Sequence, residues 1–304
     1  MNKGYKEINF TEFVSKYCNE DNCRKLLLKH KFPNGFKCDK CNHNEYKQVK
    51  GRKEYYCPKC SKQFSILKNT IMQGSHLSLT TWFSAIFLIA RDKRGISALA
   101  LSRELGISYR AARLMSHNIK NAMSKREADY LLGGLIVMDE LFIGRIHSGK
   151  KGRSTNKAKV IAALSNNEEG YPEFVKFRLV DKLDGDTIEN FTKDSIEKSA
   201  EIKTDNYLGY LNLSKTGYNH SYIEEEPEEA WVKGFRNIHT VISNLKSFIQ
   251  GTYHGLSKET LQQYLDEYAY RFNRRKCIES IFSRLIIQCL NAKRLRYQDI
   301  LYSV

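Results

Sequence analysis

No run in this sequence approaches the 18 or more consecutive apolar residues that a membrane-spanning helix requires, so a membrane protein is not expected. The opening residues, Met-Asn-Lys-Gly-Tyr-Lys-Glu, also lack the apolar core of a secretory signal. The cysteines are therefore expected in a reducing compartment, where metal ligation is a more natural use for them than disulfides. No low-complexity segment or internal repeat is visible. Acidic residues are scarce, 34 Asp and Glu against 50 Lys and Arg, and the resulting net charge of +16 makes a polyanion the leading partner. What is present is ordinary globular composition: 41% hydrophobic and 12% aromatic residues over 304 positions, enough for a sizeable core and two or three domains.

Residues 1–33 alternate apolar and charged side chains around Phe10, Phe13, Val14, Tyr17 and Leu26 to Leu28, a pattern that short helices satisfy best. Cys18 and Cys23 in this region read as ordinary thiols. The next cysteines are different. Cys38-x2-Cys41, a gap of fifteen residues, and Cys57-x2-Cys60 form two turns, each placing two sulfurs on one side of an ion, and together they complete a tetrahedral site. The aromatic and basic residues between them, Tyr46 to Tyr56 with Lys47, Lys50, Arg52 and Lys53, suit the small strands of a zinc ribbon over residues 34–70. Four thiolates leave no open coordination position, so the zinc is expected to be structural, with the basic hairpin as a candidate nucleic-acid contact. His43 is surplus to such a site.

Residues 77–94 carry an apolar helical pattern through Leu79, Trp82, Phe83, Ile86, Phe87 and Ile89, ending in the basic cluster Arg91, Lys93 and Arg94. Ser97 is placed to cap a second helix, Gly106 to break it, and Ser108 to cap a third from Tyr109 to about Met123. Helix-turn-helix spacing over 77–127 follows, with a plain helical hairpin as the alternative. On the third helix Arg110 and Arg113, with Lys120 one face further on, are expected to be exposed as on a DNA recognition helix.

Residues 135–144, Leu-Ile-Val-Met-Asp-Glu-Leu-Phe-Ile-Gly, are too short for a helix and apolar at nearly every position, which predicts a central strand covered on both faces. A carboxylate desolvated there costs several kcal/mol unless it is paired, hydrogen-bonded or bound to a metal, so Asp139 needs a partner. Asp139 and Glu140 point to opposite faces of a strand, and only one is expected at a given site. The basic stretch 145–159 follows, with Lys150, Lys151 and Arg153 near Gly149 and Gly152; it reads as either a solvated hairpin tip or a flap that grips phosphate. Residues 159–165 and 173–180 complete an antiparallel meander, a helix spans about Gly185 to Ser199, and a short strand ends on Asp205. This order resembles a ribonuclease-H-like fold, in which the acids of the first and fourth strands meet. Two carboxylates so placed repel, and divalent cations relieve the repulsion. Asp181, Asp184, Asp186 and the run Glu224 to Glu229 read as solvated loop acids.

The four cysteines, Val-Met-Asp-Glu-Leu-Phe-Ile-Gly at 137–144, Thr-Asp-Asn-Tyr-Leu-Gly-Tyr at 204–210, Ser-Asn-Leu-Lys-Ser-Phe at 243–248, Gly-Thr-Tyr-His-Gly at 251–255 and Tyr-Arg-Phe-Asn-Arg-Arg at 270–275 carry a family resemblance. The chain resembles bacterial insertion-sequence transposases of the DDE superfamily, the subset with an N-terminal zinc ribbon and a ribonuclease-H-like catalytic domain. The resemblance covers about residues 10 to 290. It implies an α+β multidomain fold: short helices at 1–33, zinc ribbon, helix-turn-helix, a mixed α/β catalytic domain at 131–276, and a C-terminal helix and tail at 277–304. It implies that Asp139 and Asp205 are the first two metal-binding acids, with two Mg2+ or Mn2+ ions. It also implies double-stranded DNA as partner, a homodimer in the synaptic complex, and a cytoplasmic protein acting at the nucleoid.

The third ligand departs from the family pattern, in which a late helix supplies Glu with Lys seven residues on. Lys246 is present, but His239 stands where the acid would be. At 100° per residue His239 and Lys246 lie about 20° apart on a polar stripe, whereas Asn244 lies about 140° from His239. His239 is therefore the expected third ligand, followed by Asn244 and then by Glu228 or Glu229. An imidazole is a softer donor than a carboxylate and shifts preference toward Mn2+. The DNA contacts expected are Arg110, Arg113, Lys150, Lys151, Arg153, Lys246, Arg274 and Arg275. The activity expected is metal-dependent cleavage and strand transfer at transposon ends. The alternatives are a catalytically inactive DNA-binding regulator or domesticated remnant, and a nuclease without strand transfer.

Overall fold

Helix starts in the N-terminal part of the chain follow from side-chain oxygens that bond the first unpaired backbone N–H groups. In this computed structural model, which describes residues 8–50, 52, 54–144, 157–222, 229–254 and 256–301, Asn9 and Glu12 form a capping box for α1 (Phe10–Tyr17). Asn19 caps α2 (Glu20–Lys31), Ser78 caps α3 (Leu79–Arg91) and Ser97 caps α4 (Ala98–Leu105). Between α2 and α3 lie three short strands, β1 (Lys47–Gln48), β2 (Glu54–Tyr56) and β3 (Gln63–Ser65), paired antiparallel in chain order. So small a sheet has little aliphatic core. Phe36, Tyr46, Tyr55 and Phe64 supply burial instead, with Phe36 and Phe64 stacked at 4.9 Å.

Gly106 ends α4 at a φ of 62°, the left-handed conformation that costs glycine nothing, and Ser108 opens α5 (Tyr109–Ala128) by accepting from the Ala111 N–H. The chain forms two units, and the division falls within α5: residues 1–122 with 277–301, and residues 123–276. The last segment belongs to the first unit because its apolar face finds partners there. Helix α9 (Ile281–Asn291) places Phe282 against Phe13, Tyr17 and Phe87.

In the second unit a five-stranded sheet runs β4 (Leu135–Ile143), β5 (Ala158–Asn166), β6 (Pro172–Val180), β7 (Glu201–Thr204) and β8 (Asn219–Tyr222) in chain order. Their order across the sheet is β6-β5-β4-β7-β8. The β4–β5–β6 meander is antiparallel, while β7 and β8 run parallel to β4. A 3-2-1-4-5 order with only the second strand antiparallel is the ribonuclease-H-like arrangement, and β4 is its central strand. Helix α6 (Gly185–Ser195) supplies the crossover from β6 to β7. Its start corrects one expectation: Asp184 is no loose loop acid but the N-cap, bonded to the N–H and hydroxyl of Thr187, and those bonds hold its carboxyl below the usual range.

Both faces of β4 are covered, as a run of apolar residues requires. Ile136 and Met138 face a core with Ile188, Phe191 and Tyr210; Val137 and Leu141 face one with Ile238, Val241 and Leu245. The second core belongs to α7 (Glu229–Thr252) and α8 (Lys258–Phe272). Helix α7 approaches closely because Gly234 lies against β4, where a Cβ would come within 3.0 Å of Val137 Cγ2. A six-residue 3-10 segment (Arg275–Ser280) leads to α9 (Ile281–Asn291), and α10 (Tyr297–Leu301) is the last described element. Among the described residues no helix is long and apolar enough to cross a membrane.

Candidate active site and metal centre

The two cysteine turns are built alike. The carbonyl of Cys38 accepts from Asn42 N–H and that of Cys57 from Ser61 N–H, both at 2.9 Å, and Asn42 and Ser61 both take positive φ, 56° and 58°. These turns direct four sulfurs inward. Cys38 and Cys60 are 3.6 Å apart, Cys41 and Cys57 3.5 Å, and all four ligand atoms lie within 4.8 Å of one another. A zinc–sulfur bond of about 2.3 Å sets a tetrahedron edge of about 3.8 Å, so the cluster fits a structural zinc. Backbone N–H groups of Lys40 and Cys41 favour the Cys38 thiolate and lower its pKa to about 7. Elemental analysis should find one zinc per chain, and Cys57→Ser should bring that near zero. Chelation should unfold the ribbon selectively, because in so small a module binding energy is folding energy. Unchanged stoichiometry in Cys57→Ser would show that another group holds the metal.

The second site lies in the middle of β4, beside the point where the shorter β7 ends. Their pairing runs from Leu135↔Glu201 to Val137↔Lys203; Asp205 is the first residue past β7, near enough to Asp139 for its charge to be felt there. Asp139 is on the face covered by α7. Asp139 Oδ2 lies 3.3 Å from His239 Nε2, and Asp139 Oδ1 accepts the Glu140 N–H at 2.8 Å. Burial raises the Asp139 carboxyl and the nearby Asp205 raises it further, while His239 and Lys246 on α7 act the other way. His239 and Lys246 thus reach the same carboxylate, as their helical phase predicts, whereas Asn244 is exposed. Asp205 is exposed and turns the chain by accepting the Tyr207 N–H at 3.3 Å.

Strand alternation sends Glu140 to the opposite face, where its Oε2 accepts from the Tyr210 hydroxyl at 3.3 Å. Burial, and then the charges of Glu140, Asp139 and Asp205, hold Tyr210 far above the usual tyrosine range. Tyr210 is thus a buried prop beneath the carboxylates. On β8, His220 Nε2 lies 3.0 Å from Thr204 Oγ1, which donates to the Asp205 carbonyl at 2.8 Å. Sequence reasoning named neither residue. Tyr210 closes the 204–210 motif, which was a usable signal; His220 carried none, because its strand pairing is invisible in the sequence.

Residues 131–273 match the family model described as the ISXO2-like transposase domain, and residues 18–63 match the transposase zinc-ribbon domain. The chain carries an ISXO2-like transposase domain preceded by a transposase zinc ribbon. An uncharacterized protein in transposable element ISH50 of Halobacterium salinarum is 23% identical over 279 residues, 85% of this chain and 92% of the relative. Among solved structures, a pre-cleavage Mos1 transpososome is 12% identical with a TM-score of 0.27 over 70% of this chain and 80% of that one. A Mos1 transposase paired-end complex with left transposon end is 11% identical, with a TM-score of 0.20 over 66% and 78%.

The basic residues expected at DNA divide sharply. Arg110 is exposed and Arg113 half-buried at the start of α5, with the Tyr297 ring 4.5 and 6.0 Å from their guanidinium carbons. Lys246 is half-buried beside Asp139. Lys150, Lys151 and Arg153, like Glu228, lie outside the described residues. Lys120 is a correction: it is buried, its ammonium donating to Ser116 Oγ at 2.9 Å, because this half of α5 is covered all round. Arg274 and Arg275 are corrections too. Arg274 is buried, 2.5 Å from Glu127 Oε1 and stacked on Tyr270 at 3.7 Å, and Arg275 donates to the carbonyls of Glu173, Phe272 and Pro172. Both fasten the end of α8; Arg274 is buried there with no face to offer a phosphate, while Arg275 is half-buried. Arg274→Met should cost about 3–5 kcal/mol of stability in urea unfolding, since it strands a buried carboxylate, and should leave the salt dependence of DNA binding unchanged.

Proposed function

We propose that this transposase binds the ends of a DNA element and carries out divalent-metal-dependent cleavage and strand transfer there. The observation that carries the reading is the cluster around Asp139 on the face that α7 covers: His239 in contact, with the charges of Asp205 and Lys246 nearby. Asp139 and His239 fit two neighbouring positions on a divalent cation. Neighbouring ligands of an octahedral ion with bonds of about 2.1 Å stand about 3 Å apart, and Asp139 and His239 are at 3.3 Å. Among the described residues only the four cysteines form a group of three or more such donors within 4.8 Å, so Asp205 stands further out than a single-ion ligand shell. Asp139, Asp205 and His239 would hold the metal, which when bound activates the attacking water or 3′-hydroxyl and stabilises the leaving oxygen.

The chain's own residues have separable tasks in this reading. Lys246, within charge range of Asp139, steadies the phosphate of the DNA end. Arg110 and Arg113 approach the duplex from the first turn of α5, as the N-terminal residues of a recognition helix do, with the zinc ribbon as a further DNA contact. A homodimer would hold two ends together. A DNA-binding regulator without chemistry is the second reading, favoured by one observation: the position on α7 facing Asp139 is an imidazole and not an acid. Incubating the zinc-loaded protein with pre-cleaved end DNA, a target plasmid and Mg2+ or Mn2+ separates them. Joined product supports the transposase; tight, sequence-specific end binding with no product in either metal supports the regulator.

A further inference from the structure

The turn that follows β3 closes against α2 and the end of α9, and between them lies a cavity of about 290 Å3. Its floor is Leu27 and Leu290; its rim carries His30, Lys31, Lys68 and Asn69. That size falls at or just below the small end of pockets that enclose a whole metabolite, roughly 300 Å3. It suits a single charged group on a longer molecule. The Lys31 ammonium is half-buried and donates to the Ser65 carbonyl at 2.6 Å, which ties α2 to the ribbon's last strand. Burial lowers Lys31, and the neighbouring charge of Lys68 lowers it further. Asp39, the acid whose charge reaches Lys68, is paired with Lys62 at 2.7 Å. The His30 ring is fixed by Asn291 at 2.9 Å. Two ammonium groups thus share a concave site with a histidine at its edge, and among the described residues no carboxylate lines it.

We infer that this cavity is an anion site and that its occupant is a backbone phosphate of nucleic acid, held by Lys31 and Lys68 beside the zinc ribbon. An anion between the two lysines converts their mutual repulsion into attraction, and Lys31, being partly desolvated, gains most. The polymer is favoured over a free anion because Lys68 is exposed and the rim is open, so an extended backbone can enter without being enclosed. The assignment of the polymer rests on the DNA-binding reading above; the anion site itself does not.

The test uses the full-length, zinc-loaded chain with Lys31→Met and Lys68→Met, singly and together, since methionine keeps the apolar stem and removes the charge. Fluorescence anisotropy with duplex DNA across a salt series reads the contacts. Each lost phosphate contact flattens the slope of log K against log salt by about 0.9, so the double variant should lose about 1.8, equally on end DNA and on unrelated duplex. In parallel, inorganic phosphate should raise the melting temperature of the native protein saturably, against chloride at matched ionic strength, and should not do so for the double variant. A double variant with native zinc content and an unchanged slope overturns the nucleic-acid assignment, and if phosphate still protects only the native chain, the cavity belongs to a free anion. Native protein that binds no DNA at any salt would sink the transposase reading while the phosphate measurement still decides whether the cavity is an anion site; no protection there overturns it.

Discussion

Asp139→Asn and Asp205→Asn are each expected to reduce strand cleavage and strand transfer by on the order of 10³-fold or more, while end binding stays within a factor of about two. The large loss follows from charge. In phosphoryl transfer nearly all catalysis is positioning and electrostatic stabilisation, and one missing charge at the reaction centre costs about 10³ to 10⁵ in rate. Asn keeps the size of the side chain and one oxygen donor but removes the negative charge that holds a divalent cation. The small effect on binding follows from position: Asp139 within β4 and Asp205 just past β7 both belong to the second unit, whereas Arg110 and Arg113 belong to the first. Gel shift on end DNA and quantification of joined product, done on the same preparations, separate the two quantities. Activity surviving either substitution would remove the carboxylate pair from the chemistry.

The parts of this arrangement that were legible in the sequence are those whose signal is local. Cys38, Cys41, Cys57 and Cys60 declare a metal site by spacing alone, because each pair is one turn and the turn geometry is the site geometry. Asp139 was legible because a carboxylate inside an apolar strand is costly, and Asp205 because it ends a short strand after a crossover helix. The phase of α7 was likewise readable from 3.6-residue periodicity, and it placed His239 and Lys246 together. Residues whose roles depend on distant partners were not legible. Arg274 looked like part of a basic knot, yet its partner is Glu127 on α5, a pairing with no trace in local sequence. Lys120 has the helical position of an exposed residue, but periodicity reports which residues share a face and not how many faces are covered. Tyr210 and His220 act through cross-strand and cross-layer contacts of the same hidden kind.

Substitutions at His239 should alter the choice of metal more than the affinity for DNA. The side chain is 66% exposed while that of Asp139 is 22% exposed, so the imidazole is held in place chiefly by the Asp139 contact and has room to turn toward an incoming cation. Imidazole suits Mn2+ better than Mg2+, which prefers hard oxygen donors, and a site with two carboxylates and one neutral ligand is one negative charge short of a three-acid site. Native protein is therefore expected to be markedly more active in Mn2+ than in Mg2+. His239→Glu should raise the ratio of Mg2+ to Mn2+ activity by about tenfold or more by restoring the missing charge and donor type, and His239→Ala should lower activity in both metals by roughly 10²-fold, at or beyond the range seen when supporting residues of metal sites are lost. Loss of the His239 contact should also leave Asp139 with one stabilising partner fewer, so the apo protein should feel the Asp139–Asp205 repulsion more strongly. Lys246→Ala serves as the control on the same helical stripe. It should weaken engagement of the DNA end, seen as a raised half-saturating DNA concentration, without changing the metal ratio. If His239→Ala keeps full activity in both metals and Asn244→Ala loses it, the ligand is Asn244, and α7 must turn by about 140° from the phase described here when DNA and metal are bound.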